Sequence, residues 1–260
     1  VWEQLRGIKV LRMVNPVFCA AGGFASILYR QSDALLVLSV HGMKLISASK
    51  GLPWSRNEKK DYSPYAMDDC SVIVGAIRSC KKLVKLELAD HHLHDNQIDQ
   101  ILPCLPYLKV LRLSCQGVEG ALTDKTCMAV SKLRRLQSLD LSGHNVTVSG
   151  VKRVLTCCFN LRDLTCSGDV SLGELKGLLK IAPRLLHFGF GTQLKQNELT
   201  EVVEEIGGRT IIHFFSDPPG MLPGLSQTAK FQYELNLKLF QETLSKAEDP
   251  DVFNEWKELS

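Results

Sequence analysis

The chain has 260 residues and 45% hydrophobic content, enough to bury a sizeable core as one or two domains. Charged residues make up 23% and the net charge is only +3, which gives no global electrostatic case for nucleic acid or an anionic membrane and leaves open only a local basic patch. No apolar run reaches about 18 residues, so no helical membrane span is expected.

Nine cysteines are scattered, an odd number, mostly at apolar positions. They read as buried thiols of a reducing compartment, and so imply an intracellular location, cytoplasmic or nuclear. The triplet Asn145, Val146, Thr147 is a glycosylation-type counter-signal. The chain opens on Val1, and a repeated pattern is under way by Ile8, so the sequence reads as the later part of a longer protein.

Residues 1–46 read as irregular N-terminal repeats. Ile8, Leu11 and Met13 form one loose copy of a leucine frame, and Leu35, Leu38 and Val40 form another 27 residues on. Residues 47–65 lose the frame and read as an inserted loop or a degenerate repeat. There Arg56, Lys59 and Lys60 mix with Trp54, Tyr62 and Tyr65, a combination able to touch RNA or a partner protein, although a solvated polar excursion explains it as simply.

Residues 66–215 carry the frame in regular form: Leu, two variable residues, Leu, one variable residue, Leu or an equivalent. The copies are Leu83/Leu86/Leu88, Leu108/Leu111/Leu113, Leu136/Leu139/Leu141, Leu161/Leu164/Cys166 and Leu185/Phe188/Phe190. Their first positions step by 25, 28, 25 and 24 residues, and Ile211 follows at 26. Each unit is expected to be a short strand with its leucines pointing inward on alternate positions, followed by a returning helix. Helical spacing appears in 95–102, in 150–155 and in 172–179. Asp95 and Ser149 or Ser171 are the candidate N-caps. Gly22–Gly23 and Gly207–Gly208 read as turns between units.

These units resemble the leucine-rich-repeat superfamily, in the strand-plus-helix subclass of ribonuclease inhibitor and of the cysteine-containing repeats of F-box proteins. The second subclass is suggested by Cys80, Cys104 and Cys158, three or four residues before a frame leucine, and by Ser114 and Cys115 after one. The likeness covers about 80–215 and, loosely, 1–46; it includes no F-box. It implies an α/β solenoid, with a curved parallel sheet on the concave side and helices on the convex side. Residues 216–260 read as a Pro/Gly breaker followed by a helical C-terminal cap, with Phe231, Leu235 and Leu239 near helical spacing. That tail could also serve as a docking helix.

Chemistry-bearing clusters are sparse. Asp90, His91, His92, His94 and Asp95 follow a frame strand, where a solvated turn anchored by Leu93 is a better reading than a zinc site. Cys157, Cys158 and Cys166 match core positions and have no base beside them. Phosphate-binding and nucleophile-elbow motifs are missing, and the carboxylates are dispersed, so no catalytic residue, metal, cofactor or small-molecule substrate is expected. The fold singles out the residues between the frame leucines, which would line the concave face: Lys85, Glu87, Val110, Arg112, Ser138, Asp140, Asp163, Thr165 and His187, with Gly189. The array runs from mixed and basic to acidic, then to small. It suits a shaped protein epitope, since charge complementarity sets partner choice. The expected function is a non-catalytic protein-recognition module, with no membrane or nucleic-acid partner and with the C-terminal tail as a second contact. In the F-box family such a domain captures substrates for a ubiquitin ligase. The alternatives are a scaffold subunit of a large assembly and the ligand-sensing repeats of an innate immune receptor.

Overall fold

The computed structural model describes residues 7–18, 21–45, 67–89, 93–114, 122–191, 202 and 210–215. The expected inserted loop (47–65), Asp90, His91, His92, Cys115, Gly207–Gly208 and the breaker and tail (216–260) lie outside the described residues.

Strands and helices alternate along the chain. The first stretch holds β1 (Val10–Val14), β2 (Val17–Phe18), α1 (Ala21–Gln31), β3 (Val37–His41) and β4 (Lys44–Leu45). Next come α2 (Met67–Ser79), β5 (Lys85–Ala89), α3 (Asp95–Ile101), a 3-10 turn (Leu102–Cys104), β6 (Val110–Arg112), α4 (Asp124–Val130) and β7 (Ser138–Leu141). The last stretch holds α5 (Val148–Cys157), β8 (Asp163–Asp169), α6 (Leu172–Ile181), β9 (His187–Gly191) and β10 (Ile211–Phe215). All but β2 and β4 join one parallel sheet of eight strands in chain order; β2 and β4 pair separately. β3 bonds directly to β5, residue for residue from Val37 opposite Lys85 to His41 opposite Ala89, although Leu35 and Leu83 are 48 residues apart.

The frame leucines account for this sheet. The middle frame position forms a row across it, in which Leu11, Leu38, Leu86, Leu111, Leu139, Leu164, Phe188 and Ile212 stand opposite one another and are buried. Leu88, Leu113, Leu141, Cys166 and Phe190 bury the third position. The first position precedes each strand, and its amide closes a tight turn, as in Leu83 N to Cys80 O (3.1 Å) and Leu161 N to Cys158 O (3.0 Å). Cys80 and Cys158 therefore occupy the same buried slot, which Leu105 and Leu133 fill in two other units; half-buried Ala182 stands at the equivalent place before Leu185. Their thiols donate to carbonyls of the preceding helices, Cys80 to Leu28 O at 3.8 Å and Cys158 to Val130 O at 3.6 Å. Cys104, grouped with them in the sequence, stands one residue out of step and is half-buried.

The helices have 7 to 13 residues, too short to be stable alone, so packing holds them. α5 buries Val151, Val154 and Leu155, and α6 buries Leu175, Leu178 and Leu179, the same one-sided spacing. These faces and the inward sheet rows form one hydrophobic core. Each buried leucine contributes about 1.5–3 kcal/mol. Gly22–Gly23 is not a turn: both residues lie in the first turn of α1, where burial of Phe24, Ala25, Ile27 and Leu28 outweighs the cost of about 1 kcal/mol for each glycine. Among the described residues no helix is long and apolar enough to cross a membrane.

Candidate functional site

Residues between the frame positions face away from the core, because side chains alternate across a strand. The register aligns them into two rows on this open face. One contains Val37, Lys85, Val110, Ser138, Asp163 and His187; the other contains Ser39, Glu87, Arg112, Asp140, Thr165 and Gly189. All nine residues expected to meet a partner stand in these rows, but they are not equally accessible. Lys85, Glu87, Val110 and Ser138 are buried, and offer a partner little. Parallel strands stand only about 4.8 Å apart, so each side chain is flanked closely by its row neighbours. The accessible part narrows to Arg112, whose side chain is 46% exposed, with half-buried Asp140, Asp163, Thr165 and His187; Gly189 is buried.

Ion pairing across strands fixes the first half of the face. The Glu87 carboxylate lies 3.2 Å from Lys85 Nζ and accepts a hydrogen bond from Arg112 at 2.9 Å. Burial opposes ionisation of Glu87, but the Ser39 hydroxyl and the two cations outweigh it and hold the carboxyl below its usual range. Beside it, Ser39 Oγ and His41 Nε2 are 3.1 Å apart. The second half is looser. Asp163, 13% exposed, has its Oδ1 buried without a hydrogen-bond partner among the described residues, and His187 Nε2 is 3.9 Å away. Burial pushes its carboxyl up to about 7, and the Arg112 and Arg162 guanidiniums only partly offset that. Asp140 turns inward to its own loop, accepting from Ser142 N at 2.9 Å.

The structure also shows polar residues that local sequence reading misassigns. Asp95 does not cap its own helix; His94 stands at that position, with Gln97 closing back on its amide. Asp95 instead reaches the start of α4, where it accepts from Thr123 N (2.9 Å), Thr123 Oγ1 (2.7 Å), Thr126 N (3.2 Å) and Thr126 Oγ1 (2.7 Å). Asp124 repeats the arrangement toward α5, accepting from Thr147 N (2.8 Å) and Thr147 Oγ1 (2.6 Å). Thr147 rather than Ser149 is thus the N-cap of α5, while Ser171 caps α6 in a capping box with Glu174. The signal was present as a Thr-Asp-x-Thr pattern at 123–126, but its partner lies 28 residues upstream. His144, unremarked in the sequence, is buried with Nε2 donating to Leu113 O at 2.6 Å. Burial holds its pKa below the usual value.

The remaining candidates fall as follows. Leu93 is buried and His94 is exposed. Cys158 and Cys166 are in the core, and burial pushes the Cys158 thiol up to about 12, far from the thiolate a nucleophile needs. Among the described residues no three His, Cys, Asp or Glu side chains converge. No protein-family model matches the chain, and no curated protein is similar to it.

Proposed function

We propose that the chain is a leucine-rich-repeat solenoid whose open, concave sheet face recognises another protein without catalysis. The observation that carries this reading is the in-register strip from Arg112 through Asp140 and Thr165 to Gly189, flanked by Asp163 and His187. It places an accessible cation and half-buried carboxylates, with a buried glycine at its end, on adjacent strands of a sheet packed on one core. A pre-organised surface of that kind loses little entropy on binding. Its unlike charges favour one docking register over others. The buried thiols suit a reducing compartment, so we place the protein inside the cell. Within this class, capture of substrates for a ubiquitin ligase accords best with the cysteine slots at Cys80 and Cys158.

Affinity capture from cell extract with the 260-residue chain, followed by identification of the bound proteins, tests the site. A double charge reversal, Arg112→Glu with Asp140→Lys, is expected to abolish recovery of a defined partner; the lost Arg112–Glu87 bond should lower the melting temperature, but circular dichroism should show the variant folded at the capture temperature. Recovery of the same partners at the same yield by the double variant overturns the assignment. Ubiquitin-ligase subunits in the bound fraction would support the narrower reading; a stoichiometric assembly without them would favour a scaffold.

A further inference from the structure

A different surface lines the edge of the sheet where helices hand over to strands. After each of the five helices α2 to α6 the chain makes a two-residue turn, at 81–82, 106–107, 134–135, 159–160 and 183–184, directly before the buried first frame leucine. All these turn residues are exposed, and none is acidic. Five are cations: Lys81, Lys82, Arg134, Arg135 and Arg184. Among the described residues, Lys81, Lys82, Arg135 and Arg184 form no ion pair. Half-buried Lys109 and Arg162, one residue past the frame leucine, add to the same edge. Two turn residues are aromatic, Tyr107 at 48% and Phe159 at 64% exposure.

The turns are contiguous. The Arg135 guanidinium sits over the Tyr107 ring at 5.2 Å, and Asn160 Nδ2 donates to Arg134 O at 2.9 Å. With strands about 4.8 Å apart, five turns make a strip about 20 Å long. Helix dipoles explain only part of it. Cations are favoured in the last helical turn, which accounts for Arg78, and falls off beyond it. The paired cations lie past the helix ends, and a dipole gives no reason for aromatic rings in water. Among the described residues, Asp33 follows α1, before the first of these turns, and Asp99 is bridged to Lys132 at 3.5 Å.

We propose that this strip binds single-stranded nucleic acid, with backbone phosphates on the turn cations and bases stacked on Phe159 and Tyr107. Cations on the first, third and fifth turns meet a repeated anion, and the two exposed rings on the turns between them offer two bases a planar partner. An acidic peptide would use the same cations but would leave the rings idle. The net charge of +3, summed over the whole chain, does not reveal this local concentration. The strip meets the open face only at Arg162, whose guanidinium also acts on Asp163; its turn cations and rings are not open-face residues, so it is tested independently of protein recognition.

Fluorescence anisotropy with the full chain and a labelled oligouridylate of about 12 nucleotides tests it. Binding through about four phosphates should weaken about 50-fold between about 50 and 200 mM salt. Arg134→Glu with Arg135→Glu, and separately Phe159→Ala, should each lower affinity about tenfold or more, while Phe159→Tyr retains it. The open-face double reversal should leave RNA binding unchanged, and circular dichroism melts should show all variants folded. No binding at low salt overturns the proposal. So does binding indifferent to Phe159→Ala and fully displaced by polyglutamate, which would mark the strip as a dock for an acidic protein.

Discussion

Two carboxylates a few strands apart are held in opposite electrostatic conditions, and their pH dependence should separate them. Asp163 has a raised pKa, so its cost to folding is absent below the ordinary carboxylate range near pH 4, grows between pH 4 and 7, and is complete above 7. A rise from 3.8 to about 7 corresponds to at most about 4 kcal/mol. With 13% of the side chain still exposed to water, about 1–3 kcal/mol is the expected share. Asp163→Asn should therefore stabilise by that amount at pH 8 and hardly at all at pH 4, read from urea unfolding at both. An equal effect at the two pH values would mean the carboxyl is well solvated. Asp95 is the reverse case. Burial works against its ionisation, but backbone and hydroxyl donors from Thr123 and Thr126 prevail and lower its pKa. Its contribution is present above pH 4 and disappears as pH falls through the lowered value. Asp95→Ala should cost about 2–4 kcal/mol at pH 7, with the gap to the parent closing below pH 4. A constant gap down to pH 2 would show that packing, not charge, does the holding.

At the scale of elements, the aspartate bridges set how closely consecutive helices approach. Gly150 sits in the first turn of α5, and a Cβ there would stand 2.3 Å from Asp124 Oδ1 and 3.0 Å from Cys127 Sγ. Helix propensity alone predicts that Gly150→Ala stabilises by about 1 kcal/mol. The contact reverses the sign: displacing Asp124 also breaks its bonds to Thr147, so a loss of about 1–3 kcal/mol is expected in chemical unfolding. A gain would show that α4 and α5 are not this close. The bridge was not legible in the sequence, for a physical reason. Capping rules look within one helix, and Asp95 satisfies every local criterion for its own N-terminus; its true donors are brought to it only by stacking of the next unit. The helices themselves were legible at 150–155 and 172–179, because their one-sided leucines and valines repeat at a spacing that no strand could bury on one face. Gly22–Gly23 misled for the complementary reason: a composition rule about glycine was outweighed by the apolar residues that follow it.

For the molecule as a whole, the frame fixed both what is inside and which residues share the open face, since a strand's period of two leaves no choice once the leucines are inward. The two rows could therefore be named from sequence. Accessibility within them could not, because it depends on what surrounds each residue in the folded sheet rather than on any one unit: Glu87 and Arg112 are partners, yet the first is buried and the second 46% exposed. The same topology predicts how the protein comes apart. Each strand bonds only to its chain neighbours on either side, so a local defect is felt first by adjacent units. Leu139→Ala, in the middle of the inward row, should cost about 2–5 kcal/mol. Native-state hydrogen exchange should then show amides of β6, β7 and β8 losing the most protection, those of β5 and β9 less, and those of β1 and β3 least. An equal loss at every strand would mean that the sheet opens only as one cooperative unit, with the coupling between neighbours exceeding the stability of any part.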